Sequence, residues 1–152
     1  MRPSKNQSVV LGWRQNRLML MAGLAVLLMV IMAALPAPVQ AASKITEILL
    51  SDQADAGGVV SKHQDKFAPT TAEIKGTALI TGMEKGQKVT ADLIYGPDNL
   101  KALTITKDIP GTGDVTLTFA FSKPTNDWPQ GDYKVVVTTS DGVTKSVPFQ
   151  VK

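Results

Sequence analysis

Cysteine is absent from all 152 residues. That excludes disulfide staples, thiolate metal sites and lipid attachment at a processed cysteine. Histidine occurs once, at His63, so a metal centre built from several imidazoles is excluded as well. Arginine is confined to Arg2, Arg14 and Arg17. Beyond residue 41 there are 12 lysines against 13 acids, a net charge of −1, with no arginine and no basic cluster. A nucleic-acid face needs clustered basic residues, and this chain offers none. The basic character of the whole sequence belongs to its first residues alone.

Those first residues have a plain design. Residues 1–17 carry Arg2, Lys5, Arg14 and Arg17 and no acid, and "LMLMAGLAVLLMVIMAAL" then runs from Leu18 to Leu35 without a charge. "PAPVQAA" follows, with Val39 and Ala41 framing a cleavage site before Ala42. A basic head, an apolar middle and a small-residue site make a secretory signal peptide over residues 1–41. The apolar run is close to the ~20 residues a membrane-spanning helix needs, so retention as an uncleaved inner-membrane anchor is the alternative. Either way the remaining chain is read as exported, to the periplasm or beyond the cell. Its 111 residues suffice for a core that buries roughly two-thirds of the unfolded surface.

In that part a period of two dominates. Val115, Leu117, Phe119 and Phe121 alternate with Thr116, Thr118, Ala120 and Ser122, the signature of a half-buried strand. Tyr133, Val135 and Val137 repeat the pattern, as do Val147, Phe149 and Val151. Between these runs, Asp141-Gly142 predicts a two-residue hairpin with φ > 0 at both positions. Pro148 cannot donate to a ladder, which predicts a sheet edge for the final strand. Further upstream, Ile74, Gly76, Ala78 and Ile80 form one inward set and Val89, Ala91, Leu93 and Tyr95 another, with "GMEKG" between them. "GPDN" (96–99) is turn chemistry, Leu103 and Ile105 mark a short strand, and Ile45 to Leu50 is a further strand candidate. Residues 51–71 read as a long surface connection pinned by Phe67. The division is thus 42–66 for a first strand and long loop, and 67–152 for the core. The fold class is all-β: a β-sandwich or small barrel of about seven strands behind a helical leader.

The stretch "WPQGDYKVVV" adds specificity. Gly131-x-Tyr133-x-Val135 resembles the tyrosine corner of immunoglobulin-like sandwiches, in which a tyrosine hydroxyl bonds back to nearby backbone. The resemblance to bacterial exported immunoglobulin-like domains covers residues 67–152. It implies that Trp128-Pro129 plugs the open end of the sandwich, with Val135 and Leu93 standing where antibody domains place a cysteine and a tryptophan. The tail "GDYKVVVTTSDGVTKSVPFQV" is also similar to periplasmic copper-binding CopC-like sandwiches. That family follows its Asp-Gly with a histidine ligand, whereas Val143 follows here, so no copper site and no other cofactor is expected.

Candidate chemistry is sparse. Asp52, Asp55, His63 and Asp65 form the one possible hard-metal group, at spacings unlike a calcium loop. Asp127 and Asp132 flank Trp128 as a nominal carboxylate pair, although aspartates in turns commonly bond local backbone. "GTGD" (111–114) is too short for a phosphate loop, and the threonines at 104, 106, 116, 118, 138 and 139 are ordinary strand residues. The sequence therefore predicts a non-enzymatic exported binding module with a protein or glycan partner. Its interaction surface is read at Trp128, Asp127, Asp132 and His63. The alternative is a metal-handling protein of CopC-like shape with a weak site near His63.

Overall fold

The computed structural model describes residues 42–152; the leader read over residues 1–41 lies outside the described residues. Alternating sequence becomes eight strands: β1 (Lys44–Ser51), β2 (Lys66–Phe67), β3 (Glu73–Met83), β4 (Lys88–Tyr95), β5 (Leu100–Asp108), β6 (Gly113–Ser122), β7 (Gly131–Thr139) and β8 (Thr144–Val151). They form a three-stranded sheet in the order β1-β3-β6 and a five-stranded sheet in the order β2-β8-β7-β4-β5. The two sheets close over one core as a β-sandwich. All pairings are antiparallel except the short β2–β8 contact. In β6, Leu117, Phe119 and Phe121 are buried while Thr116, Ala120 and Ser122 are not, and in β7 Tyr133, Val135 and Val137 are buried. Each such side chain taken fully out of water contributes roughly 1.5–3 kcal/mol.

The eighth strand is the one that periodicity could not signal. Two residues, Lys66 and Phe67, pair with Gln150 and Val151, inside the stretch read as a surface connection. Phe67 is buried there and meets the Phe149 ring edge-on at 5.3 Å. Around Gly58 and Val60 that connection lies over the outer side of the three-stranded sheet. The Val60 N–H donates to Thr77 Oγ1 at 2.8 Å, and Val60 and Thr77 are both 1% exposed. Because β2 borders β8 only at residues 150 and 151, Pro148 pairs with Lys134 of β7 on one side and has no strand partner on the other. The expected edge position therefore holds for most of the strand.

The Asp141-Gly142 hairpin joins β7 to β8 as expected, but its conformation differs from the expectation. Gly142 takes φ +92° and Asp141 does not take a positive φ. The Thr139 N–H donates to Val143 O at 2.9 Å and the Gly142 N–H to Thr139 O at 2.9 Å. This is a three-residue loop in which only the glycine needs the left-handed region. The physical reason is the Asp141 carboxylate, which accepts the Ser43 N–H at 2.8 Å, the Ser43 hydroxyl at 2.9 Å and the Thr139 hydroxyl. Ser43 and Thr139 are both buried. The knot fastens the start of β1 in one sheet to the β7–β8 loop of the other. The Thr139 hydroxyl, then the Ser43 amide, hold the Asp141 carboxyl down at about 2.

Two outcomes follow for stability. A Cβ at Gly76 would stand 2.2 Å from Phe119 ring carbons, so Gly76→Ala should lower unfolding free energy by about 1–3 kcal/mol through overpacking, read from the denaturant midpoint at unchanged m-value. Asp141 titrates lower in the folded chain (about 2) than its ordinary 3.8. Its contribution is therefore whole above pH 3.8 and is lost as pH falls toward 2. Acid melts of Asp141→Asn should be flatter across that window than those of the unaltered chain.

Candidate functional site

The loop from residue 123 to 130, between β6 and β7, closes one end of the sandwich. Trp128 is 4% exposed. Its backbone N–H donates to Pro69 O at 2.9 Å and its indole Nε1 to Thr71 O at 2.8 Å, so the side chain is held at both ends as a lid. Tyr133 donates its hydroxyl to Pro129 O at 2.8 Å, four residues upstream. Its ring stacks on Phe149 at 5.1 Å and meets Trp128 edge-on at 6.4 Å. Tyr95 lies against it at 4.7 Å and donates to Gln130 O at 3.2 Å. Gly131 is required at the start of β7: its φ is +147°, and a Cβ there would stand 3.1 Å from the Tyr95 ring. Burial, then the neighbouring Tyr95, pushes the Tyr133 phenol up to about 12, which keeps it a donor at any physiological pH.

Beside this aromatic group opens a cavity of about 370 Å³ walled by Tyr95, Leu100, Leu103, Pro124, Trp128 and Tyr133. Ser122 and the two tyrosines carry the only hydroxyls on its lining. Leu100 is 63% exposed and Leu103 41%. Such a wall offers burial of an apolar group and almost no hydrogen bonding. Tyr95 and Leu100 were not singled out from sequence. Tyr95 reads there as one more inward residue of its strand, and Leu100 as the residue after a turn.

The sequence-derived candidates are spread over separate tasks. Asp127 pairs with Lys123 at 2.7 Å, while Asp132 accepts Gln150 Nε2 at 2.9 Å; both are exposed. His63 lies on a different loop, beside the free edge of β1. There its Nδ1 accepts the Leu50 N–H at 3.2 Å, and the Leu50 carbonyl accepts the Gln64 N–H at 2.7 Å. An open cavity of about 670 Å³ includes Asp52, Asp55, His63 and Asp65 among its walls. Asp55 spends one oxygen on the Gly57 and Val59 amides at 2.9 and 2.8 Å. Among the described residues no group of three or more His, Cys, Asp or Glu side chains is gathered closely enough to hold a metal ion.

Removing the Tyr133 hydroxyl leaves the Pro129 carbonyl without its partner. Tyr133→Phe should cost about 0.5–1.5 kcal/mol in chemical denaturation, with the aromatic near-ultraviolet signal of Trp128 altered because the loop that seats it loosens.

No protein-family model matches the chain, and no curated protein matches it. Among solved structures, a mutant β-glucosidase from Listeria innocua in complex with laminaribiose is similar over 72% of this chain, at 12% identity and a TM-score of 0.44; the match spans 16% of that chain.

Proposed function

We propose that the chain is an exported, non-enzymatic interaction module built on an immunoglobulin-like sandwich. It receives an apolar side chain of a protein partner in the cavity beneath the Trp128–Pro129 turn. Three features support the immunoglobulin-like reading. One sheet follows β1-β3-β6 and the other places β7 between β4 and β8, an order like that of immunoglobulin domains. Tyr133 bonds back to Pro129 at the start of its strand, as a tyrosine corner does. The leader-like residues 1–41 support export.

The observation that carries the functional reading is the carbon-walled cavity with Leu100 standing 63% exposed at its mouth. An apolar wall left open to water is a free-energy cost that a partner removes. Asp127 and Asp132 are engaged with Lys123 and Gln150 and the cavity lining carries no charged side chain, so apolar contact, and not charge, is the chemistry the cavity offers.

The domain of residues 42–152, which contains the whole described core, serves as bait in a cross-linked pull-down from envelope extract beside Leu100→Asp. A partner recovered by the unaltered domain should fall at least tenfold with the variant, about 1.4 kcal/mol, while both melt at similar temperatures. Equal recovery by the two, or recovery of nothing above background, would overturn the reading.

A further inference from the structure

The sandwich has four lateral margins, and they are not equally protected. Along β1, His63 and Gln64 occupy the Leu50 amide and carbonyl, and a bulge interrupts the strand between Ile45 and Glu47. Along β8, Pro148 and the short β2 blunt the margin. β6 ends the narrower sheet, pairs only with β3 and buries Leu117, Phe119 and Phe121. β5 is different. It runs nine residues, pairs only with β4, and every residue but Ile105 is exposed. From Leu103 to Asp108 its register with β4 is unbroken, and the bulge falls before it, at the Lys101–Leu103 step opposite Leu93 and Ile94. A long, regular, partly apolar edge is a template for another strand.

We propose that β5 pairs antiparallel with β5 of a second copy of this chain, about a two-fold axis through Ile105, joining two five-stranded sheets into one. Charge selects both the occupant and the register. Lys101, Thr104, Thr106 and Asp108 lie on the outer face of β5, where Lys101 reaches Asp92 at 2.8 Å, Thr104 reaches Asp92 at 2.6 Å and Asp108 meets Lys88. The row reads positive, threonine, threonine, negative, so an antiparallel copy presents the reverse. With the axis at Ile105, Thr104 faces Thr106 of the second copy, and Asp108 faces the bulge that carries Lys101. On the inner face Ile105 meets its own counterpart. Leu103 lies under the aliphatic stem of Lys107, a lysine with no ion pair among the described residues, and long basic side chains cover apolar surface in this way. An axis one residue earlier, through Thr104, would carry Asp108 past the bulge to Leu100 of the other copy and forgo that approach of opposite charges. The five-residue ladder from Leu103 to Lys107 shares Leu103 with the cavity wall and stops short of Leu100 at its mouth, so the Leu100→Asp comparison and the cross-linking below read the two proposals separately.

The natural absence of cysteine makes the test clean. In the full chain, Ile105→Cys introduces a single thiol that lies opposite itself across the axis, at a separation near that of a disulfide. Mild oxidation should give a covalent dimer at least tenfold faster than Ser146→Cys, whose residue is exposed on β8. Adding Lys101→Asp to Ile105→Cys should slow the reaction, and adding Asp108→Lys to that pair should restore it, because the two ends are again opposite in sign. Melting curves check that each variant is folded. Equal rates for Ile105→Cys and Ser146→Cys would overturn the proposal. So would sedimentation of the unaltered 42–152 domain as a monomer up to about 1 mM, a limit of about −4.1 kcal/mol. The same result is expected if β5 instead accepts a strand from a different protein.

Discussion

Three strands cannot cover five. Each sheet has one apolar face to hide, and the narrower sheet, β1-β3-β6, hides the centre of the wider one well: Val89, Ala91 and Leu93 on β4 are at most 1% exposed, as are Val135 and Val137 on β7. One strand further out, the inward residues of β5 lose that cover. Leu103, paired with fully buried Leu93, is 41% exposed, and Ile105, paired with Ala91, is half-buried. The mismatch in width therefore produces the apolar cavity and the bare edge together. The bare edge follows from strand number alone, and the β6–β7 loop supplies the remaining wall of the cavity.

A chain without disulfides must still fix how the sheets meet at their ends. At one end the aromatic side chains Trp128, Tyr133, Tyr95 and Phe149 interlock, and their polar atoms return to backbone carbonyls at Thr71, Pro129 and Gln130. Aromatic rings bury large areas, and their hydroxyl and indole groups need partners when buried; the turn carbonyls supply them. At the other end Ser43, Thr139 and Asp141 form the polar knot between sheets. Val135 and Leu93, at the centre of the five-stranded sheet, are paired neighbours and each 0% exposed. Aliphatic packing fills the space between the two fastened ends.

The strands that sequence made legible are those where one face is wet and the other dry. Leu117, Phe119 and Phe121 against Thr116, Ala120 and Ser122 leave only one reading, because a slip of one residue would turn the whole apolar set into water. What stayed hidden depends on long-range partners. Two residues have no period, so β2 could be recognised only once Val151 lay beside Phe67. The conformation of Asp141 was set by Ser43, 98 residues away in sequence; local propensity allowed a positive φ, and the tertiary hydrogen bonds decided against it. Thr77 has the polarity of a surface residue and the parity of an outward one, yet Val60 folds over it. The cavity was illegible for a related reason. Its walls come from β5, from the β6–β7 loop and from Tyr95, and no local pattern announces that three such segments converge.

Many of the acids in this domain are taken up by structural contacts. Asp55 closes a turn through the Gly57 and Val59 amides, Asp92 holds Thr104 and Lys101, Asp127 pairs with Lys123, and Asp141 ties the sheets. His63, the one imidazole, accepts a backbone amide at the edge of β1, a bond that needs its neutral form with the proton on Nε2. Each of these groups is occupied in finishing a turn, an edge or a sheet junction. Beside them stand apolar groups without cover: the Leu100 and Leu103 side chains, the Pro124 ring and the outer half of Ile105. Water disfavours them where they stand. What the fold leaves uncovered is thus an apolar cavity and the unpaired edge of β5.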